Sequence, residues 1–302
     1  MKLRLNPIVK KDLQVTARSM RLSWGLFAYE AVLTMIFLLA LALIEMANDS
    51  IYSDGNIYSS FIYLFPSLAA AQICIIGLIV PIITASSISG EKERQTFDIM
   101  LTTCMSPFSI VFGKVVSAVL RILFFVVAGM PVMALAFVVG GLGWINLFYF
   151  VLAVILFSVF SGSIGILCSS FCRKSITAVV LSFVFYFIIF FLTFLPALIR
   201  SLLDVYSAGE SLLFLLFNPI VFFEEFFLLI MRGESAFGGE GFMFYRDDVG
   251  FVTYYLSQGK VWIFTSAICI LGMSILFMLV AAWKVNPMNT YSYKRSKKKK
   301  GL

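Results

Sequence analysis

The sequence contains few of the side chains on which enzymes rely for chemistry. None of its 302 residues is a histidine, which excludes histidine-based acid–base catalysis, catalytic triads and most zinc sites. The five cysteines show no C-x-x-C spacing and no paired set of ligands. The adjacent Glu224 and Glu225 would suit an intramembrane metalloprotease only if histidines held the metal. We therefore expect neither a catalytic site nor a metal site in this chain.

A nucleotide-binding loop is also missing from the sequence. A P-loop requires G-x-x-x-x-G-K-[ST], in which backbone amides and the lysine surround the phosphates. The pair Gly113-Lys114 has Phe108 in the place of the first glycine and Val115 in the place of Ser or Thr. The pair Gly259-Lys260 fails in the same way. We expect no cofactor in this chain, so any energy from ATP has to come from a partner.

The elements that position the remaining polar residues are membrane-spanning helices. Hydrophobic residues make up 61% of the chain and charged residues only 13%, whereas soluble domains have about 25% charged residues. A helix of about 20 apolar residues crosses a hydrocarbon core of about 30 Å. Six stretches reach this length, at approximately 22–47, 61–88, 115–139, 145–169, 175–199 and 261–283. We therefore expect an all-α integral membrane protein with six transmembrane helices.

Positively charged residues predict the orientation of these spans. Of the 23 lysines and arginines, 18 lie in the leader, in the loops after spans two and four, and in the tail. With six spans these segments share one side, and the other side holds only Arg200, Arg232, Arg246 and Lys260. By the positive-inside rule both termini are cytoplasmic. Because orientation accounts for the net charge of +7, nucleic acid is not an expected partner.

The spans divide the chain into three parts. Residues 1–21 are expected to form a cytoplasmic amphipathic helix that lies in the membrane plane, with a plain basic leader as the alternative. Residues 22–283 form the transmembrane domain, and residues 284–302 form a basic cytoplasmic tail that binds anionic lipid. Within the outer segment 200–260, residues 211–231 are apolar but interrupted. They predict an interfacial or re-entrant helix pair, with a hairpin that crosses twice as the alternative.

Three polar side chains lie inside apolar stretches, where they are costly and indicate function. Glu30 and Arg121 each lie about two turns from the cytoplasmic end of a span, which predicts a buried ion pair between them. The alternative is that each side chain extends separately to the inner interface. Gln72 is a candidate for lining a substrate path, but a helix–helix hydrogen bond is favoured. Span four also has a stripe of small residues that favours close packing within the chain, with a subunit interface as the alternative: Ser158, Gly162, Gly165 and Ser169.

The loop at 89–114 is the most informative part of the chain. Ser89 or Gly90 is suited to cap a helix, and acidic residues in its first turn would suit the positive end of the helix dipole. Ser106-Pro107 ends this helix before the next span begins. Apolar residues repeat between these limits at helical spacing, at Phe97, Met100, Leu101, Cys104 and Met105. We therefore predict a short amphipathic helix at 91–105 whose apolar face contacts lipid or another protein.

This loop resembles the permease subunits of ABC-2 type transporters. In that family the pattern G-E-[RK]-E-x-G-T-[LF]-E-x-L-L-x-[ST]-x-x-S precedes a Gly-Lys at the next span. Gln95 stands where the family usually has glycine, Asp98 replaces glutamate and Met105 takes the place of proline. The six spans, the in-plane leader and the large outer loop match the rest of the chain more loosely. The matching positions are Gly90, Glu91, Lys92, Glu93, Thr96, Phe97, Asp98, Leu101, Thr103, Ser106, Gly113 and Lys114.

The resemblance implies the permease subunit of an exporter in the bacterial plasma membrane. The helix at 91–105 would be a coupling helix that docks in a groove of a separate cytoplasmic ATPase, which binds ATP and Mg²⁺. The permease would pair with a second copy or a paralogue, and the spans would reorient around a substrate path. Phe97 and Leu101 would fill the groove, and Glu91 and Glu93 would meet basic residues on its rim. The residues expected to transmit force are Glu91, Glu93, Arg94, Thr96, Phe97, Asp98 and Leu101.

Two other classes of function compete with this interpretation. A secondary transporter or channel would need no ATPase, but the sequence shows no internal inverted repeat and few acidic residues in mid-membrane to couple an ion gradient. A membrane scaffold that transports nothing would use the helix at 91–105 to bind a partner in the same way. The sequence does not identify the transported substrate.

Overall fold

The computed structural model describes Val9, Asp12, Gln14 and residues 18–50, 61–97, 106–140, 143–203, 213–233 and 259–286. Seven helices lie wholly within these residues: α1 Met20–Ser50, α2 Leu64–Glu93, α3 Pro107–Val139, α4 Trp144–Phe171, α5 Ser175–Leu203, α6 Pro219–Arg232 and α7 Gly259–Val285. All except α6 are long and apolar enough to cross a membrane. The prediction of an all-α protein with six transmembrane helices is therefore confirmed.

The helices extend beyond the apolar stretches that predicted them. The 30 residues of α2 cover about 45 Å at a rise of 1.5 Å per residue, more than the hydrocarbon core of about 30 Å. The last turns of α2 therefore reach the membrane surface. We call this the inner end of the bundle, because the positive charges predict that it is cytoplasmic.

The start of α3 differs from the predicted start of span three at residue 115. Ser106 is the N-cap, since its hydroxyl accepts a hydrogen bond from the Ser109 N–H at 3.2 Å, and Pro107 is the first helical residue. This combination of cap and proline is a strong helix start. The prediction placed the start too late because it followed hydropathy alone. As a result Lys114 lies within α3, two turns from its beginning.

The central helix of the bundle is α4. In its most apolar window 72% of the residues are buried, against 17% in each of α1 and α5. Gly162 and Gly165 face Thr84 of α2, and a Cβ at Gly165 would lie 2.9 Å from the Thr84 Cβ and 3.1 Å from the backbone nitrogen of Ala85. The two backbones therefore approach each other at a distance that only glycine permits. The stripe of small residues packs within the chain, as the sequence predicted.

Beside the spans, α6 is a single short helix. Asn218 is its N-cap and accepts from the Ile220 N–H at 2.9 Å, Pro219 is its first residue, and Gly233 ends it with a φ of 70°. The Asn218 amide also donates to the Thr193 hydroxyl of α5 at 3.0 Å. The 14 residues of α6 cover about 21 Å, which is less than the thickness of the hydrocarbon core.

Aromatic contacts show how α6 enters the bundle. The Phe223 ring lies 5.6 Å from the ring of Phe157, near the middle of α4. The Phe227 ring lies 6.4 Å from the ring of Phe65, at the outer end of α2. The N-terminal end of α6 is therefore deeper in the bundle than its C-terminal end. This geometry favours the re-entrant interpretation of residues 211–231 over a hairpin that crosses twice.

Candidate functional site

The segment 89–96 ends α2, and the next helical residue is Phe97. Ser89 lies inside α2, fully buried, and its hydroxyl donates to the Ala85 carbonyl at 2.7 Å. The helix continues to Glu93, with Arg94 as its C-cap. The predicted helix start at Ser89 or Gly90 is therefore wrong. The same local pattern, a small polar residue followed by acidic residues, also occurs in the last turn of a long helix. It does so when residues outside that helix bind the acidic groups.

A Schellman motif closes this helix end. The Thr96 N–H donates to the Glu91 carbonyl at 3.0 Å, and the Gln95 N–H donates to the Lys92 carbonyl at 3.2 Å. These are the two bonds that define the motif, and they satisfy carbonyls that have no partner within the helix. The motif requires a left-handed residue, and Gln95 supplies it with a φ of 58°. Gln95 is the position at which the ABC-2 pattern has glycine.

Glu91 connects α2 to α3 and, through Lys114, to Asp12 of the leader. Its carboxylate accepts from the Lys114 ammonium at 2.8 Å, and Lys114 is 9% exposed. Asp12 of the leader lies 3.6 Å from the same ammonium and 4.0 Å from the Arg121 guanidinium. Two acidic and two basic groups therefore neutralise one another between three segments of the chain. Val9, one turn before Asp12, is only 2% exposed and is therefore buried as well.

Lys92 connects α2 to the end of α4. Its ammonium donates to the carbonyl oxygens of Ser169, Ser170 and Cys172 at 3.2, 2.5 and 3.3 Å. The last carbonyls of a helix have no intrahelical partner and carry the negative end of the helix dipole. A lysine from another helix therefore caps α4 with charge and with hydrogen bonds.

Glu93 connects α2 to the start of α5. One carboxylate oxygen accepts from the Ser175 hydroxyl at 2.8 Å and from the Ser175 N–H at 3.2 Å. Ser175 is the first residue of α5, where N–H groups lack partners and the dipole favours an anion. Glu93 therefore acts as an N-cap supplied by a different helix.

A second set of contacts holds α2 against α4 one turn below Lys92. The Ser169 hydroxyl accepts from the backbone N–H groups of Ile88 and Ser89 at 3.0 and 2.8 Å. A Cβ added to Gly90 would lie 3.4 Å from the Ser175 hydroxyl, so α2 also lies close to the start of α5. We use the term polar junction for the residues that bind the end of α2 to its neighbours: Glu91, Lys92, Glu93, Lys114, Ser169, Ser170, Cys172 and Ser175.

Next to the polar junction lies an exposed turn, Arg94–Thr96. Phe97, which follows it, is half-buried against an apolar cluster that includes Ile88 and Val115. Its ring centroid lies 5.6 Å from the Lys92 ammonium. Asp98 and Leu101 lie outside the described residues, so the amphipathic helix up to residue 105 stays a prediction. Of the residues predicted to transmit force, Glu91 and Glu93 bind other helices. Arg94 and Thr96 are exposed, although the Thr96 hydroxyl donates to the Glu91 carbonyl at 3.3 Å.

The predicted ion pair between Glu30 and Arg121 is not formed. The acidic partner of Arg121 within the described residues is Asp12, which approaches from the leader. One carboxylate oxygen of Glu30 is buried without a hydrogen-bond partner among the described residues, and the same holds for the side-chain carbonyl oxygen of Gln72. The prediction compared only the depths of Glu30 and Arg121 within their spans. It left out Asp12, which lies 4.0 Å from the Arg121 guanidinium.

Sequence reasoning missed the partners of the polar junction. It assigned Lys92 no role beyond the motif and took Ser169 for a packing residue of span four. A signal was nevertheless present, because acidic residues in the last turn of a helix oppose its dipole and require compensation. Lys114 of α3 and Ser175 of α5 provide that compensation, and no spacing within residues 89–114 specifies the partners in α4 and α5.

Long apolar helices, joined at one end by a polar junction, define a multi-pass membrane protein. A comparison with known families adds the particular family, since residues 7–297 match the ABC-2 family transporter proteins. The chain therefore belongs to this family of ABC transporter permeases, whose members are generally the non-catalytic transmembrane component. A search of the curated proteins finds no match to the chain.

Proposed function

We propose that the chain is the permease subunit of an ATP-driven exporter in the bacterial plasma membrane, with both termini in the cytoplasm. It forms the substrate path together with a second copy or a paralogue, and separate cytoplasmic ATPase subunits bind the ATP and Mg²⁺. The observation that carries the proposal is the exposed turn Arg94–Thr96, held at the inner end of the bundle in a chain of the ABC-2 family. The sequence has no P-loop of its own, which fits an external source of energy.

The contacts within the chain support a different division of roles among single residues. Glu91 and Glu93 bind other helices of the permease, and in this proposal they hold those helices together instead of meeting the rim of the ATPase groove. Arg94 and Thr96 are the polar contacts to the ATPase. Leu101 and Asp98 extend this surface, and Phe97 anchors it to the apolar cluster of the permease.

The test is purification of the tagged full-length chain from cells that also express the ATPase encoded next to it. We expect an ATPase without transmembrane spans to co-purify in a fixed ratio and to hydrolyse ATP. Arg94→Glu combined with Leu101→Asp should abolish co-purification, because both changes alter the proposed contact surface. Lys260→Glu is the matched control, since Lys260 is an exposed cation at the opposite end of the bundle.

Two results would contradict the proposal. Retention of the ATPase by the double variant would place the contact elsewhere. A stable oligomer of the wild-type chain without any ATPase would favour the secondary transporter or the scaffold, and the turn at 94–96 would need a different partner.

A further inference from the structure

Three consecutive charged residues at the end of α2 each bind a different helix. Glu91 binds Lys114 in α3, Lys92 binds the last carbonyls of α4, and Glu93 binds Ser175 at the start of α5. A turn of helix points three successive side chains in directions about 100° apart. The end of α2 can therefore contact all three neighbours only when it lies between them, as it does here.

Lys92 holds the arrangement together, because its three acceptors lie on the stretch that joins α4 to α5. The carbonyls of Ser169 and Ser170 belong to the last turn of α4, and Cys172 lies beyond its end. If Lys92 is replaced by an apolar residue of similar length, these carbonyls lose a charged donor in a half-buried position, and leaving polar groups there without partners is costly.

The contact between α2 and α4 extends well below Lys92. It runs from Gly162 and Gly165 against Thr84, through Ser169 against Ile88 and Ser89, to Lys92 itself. From Gly162 to Cys172 this is a length of about 15 Å along the helix. Close packing and directed hydrogen bonds over such a length leave little room for the two helices to slide past each other.

We propose that the polar junction makes the inner ends of α2, α4 and α5 move as one rigid unit, with Lys92 as the positioning residue. Force applied to the turn Arg94–Thr96 then reaches α4 and α5 directly, without passing through the substrate path. This proposal rests on the proposed function, since it assumes that an ATPase acts on that turn.

Hydrogen–deuterium exchange on the purified full-length chain tests the structural half of the proposal. We expect amides in the segment 172–176 to exchange about tenfold faster in Lys92→Met and in Glu93→Met than in the wild type, because local opening no longer breaks these hydrogen bonds. Lys92→Arg should keep the wild-type rate, since it keeps the charged donor. Arg94→Met is the matched control, a neighbouring cation outside the polar junction, and should also leave exchange unchanged. Equal rates in Lys92→Met and the wild type would overturn the proposal.

A reversible disulfide tests the mechanical half. Gly90→Cys with Ser175→Cys brings two sulfurs within bonding reach, because a Cβ at Gly90 lies 3.4 Å from the Ser175 hydroxyl; Cys172→Ala removes the nearest competing thiol. In the ATPase complex in nanodiscs, the oxidised disulfide should leave ATP hydrolysis at the rate of the reduced form. The Lys92→Met variant should still bind the ATPase, but the permease should no longer change the rate of ATP hydrolysis. Adding the disulfide to this variant should restore the influence of the permease on that rate.

The possible outcomes separate this proposal from the proposed function. If oxidation abolishes ATP hydrolysis in the disulfide variant that keeps Lys92, then α2 and α5 must part during the cycle. That result would disprove the rigid unit. If no ATPase binds the wild-type chain, the proposed function fails instead. The exchange measurement, which needs no ATPase, then still decides whether Lys92 holds the three helices together.

Discussion

Gln95 shows how the conformation of a single residue explains a feature of the family pattern. Its φ of 58° lies in the left-handed region, where a residue with a Cβ is strained and glycine is not. It is the residue that follows the C-cap of α2, at which helices most often place glycine. The ABC-2 pattern has glycine at this position. Backbone conformation therefore accounts for that glycine, and this chain carries the strain of a glutamine in its place.

We predict that Gln95→Gly stabilises the protein. Relief of the left-handed strain should raise the free energy of unfolding by roughly 1 kcal/mol, which would be measured as a higher Tm of the purified chain in detergent. Arg94→Gly is the matched control, since Arg94 has an ordinary φ of −83° and should become less stable with glycine. A fall in Tm for Gln95→Gly would show that the glutamine side chain contributes more than its backbone costs.

At the scale of elements, the pairing of α2 with α4 is determined by a close contact in which no space remains for an additional side-chain atom. Thr84 is fully buried, and its hydroxyl donates to the Val80 carbonyl at 2.8 Å. A Cβ on Gly165 would overlap that hydroxyl oxygen. The hydroxyl could move away only by giving up its hydrogen bond inside an apolar bundle, where no water replaces it.

We predict that Gly165→Ala destabilises the protein through this overlap. Overpacking of a close helix contact typically costs about 1–3 kcal/mol, so thermal unfolding in detergent should show a clearly lower Tm. Gly272→Ala is the matched control, because a Cβ at that helical glycine meets no atom within 4 Å, and its Tm should stay the same or rise. Equal effects of the two substitutions would mean that α2 and α4 are not in close contact.

The sequence predicted the helices and not the contacts between their ends. Hydropathy identified all six spans because an apolar run of sufficient length is a local signal. The end of α2 was predicted wrongly, since Ser89 and Gly90 have the same local pattern whether they begin or continue a helix. The partners of Lys92 and Glu93 lie about 80 residues further along the chain, in two other helices. Pairings of that kind depend on tertiary packing, which a single sequence does not contain as a local pattern.

For the molecule as a whole, α6 decides the topology. If it crossed the membrane, α7 would run in the opposite direction, and the lysine-rich tail would lie outside the cell. Its 14 residues are too few for a crossing, and its N-terminal end is tied to α5 by the hydrogen bond from Asn218 to Thr193. The number of spans among the described residues is therefore even, as the placement of both termini on one side that the charges predict requires.

Cysteine labelling in intact cells tests this topology. Thr96 and Lys260 are both exposed. Thr96→Cys and Lys260→Cys are each made in a chain whose native cysteines have been replaced, and each new thiol should react with any reagent that reaches its side of the membrane. A membrane-impermeant maleimide should label Lys260→Cys in intact cells, and Thr96→Cys or Gly301→Cys only after the membrane is opened. A crossing by α6 would reverse the result at two of these positions, exposing Gly301→Cys and protecting Lys260→Cys, while Thr96→Cys stayed protected. Thr96→Cys is therefore the internal control, because its side depends only on the first two spans.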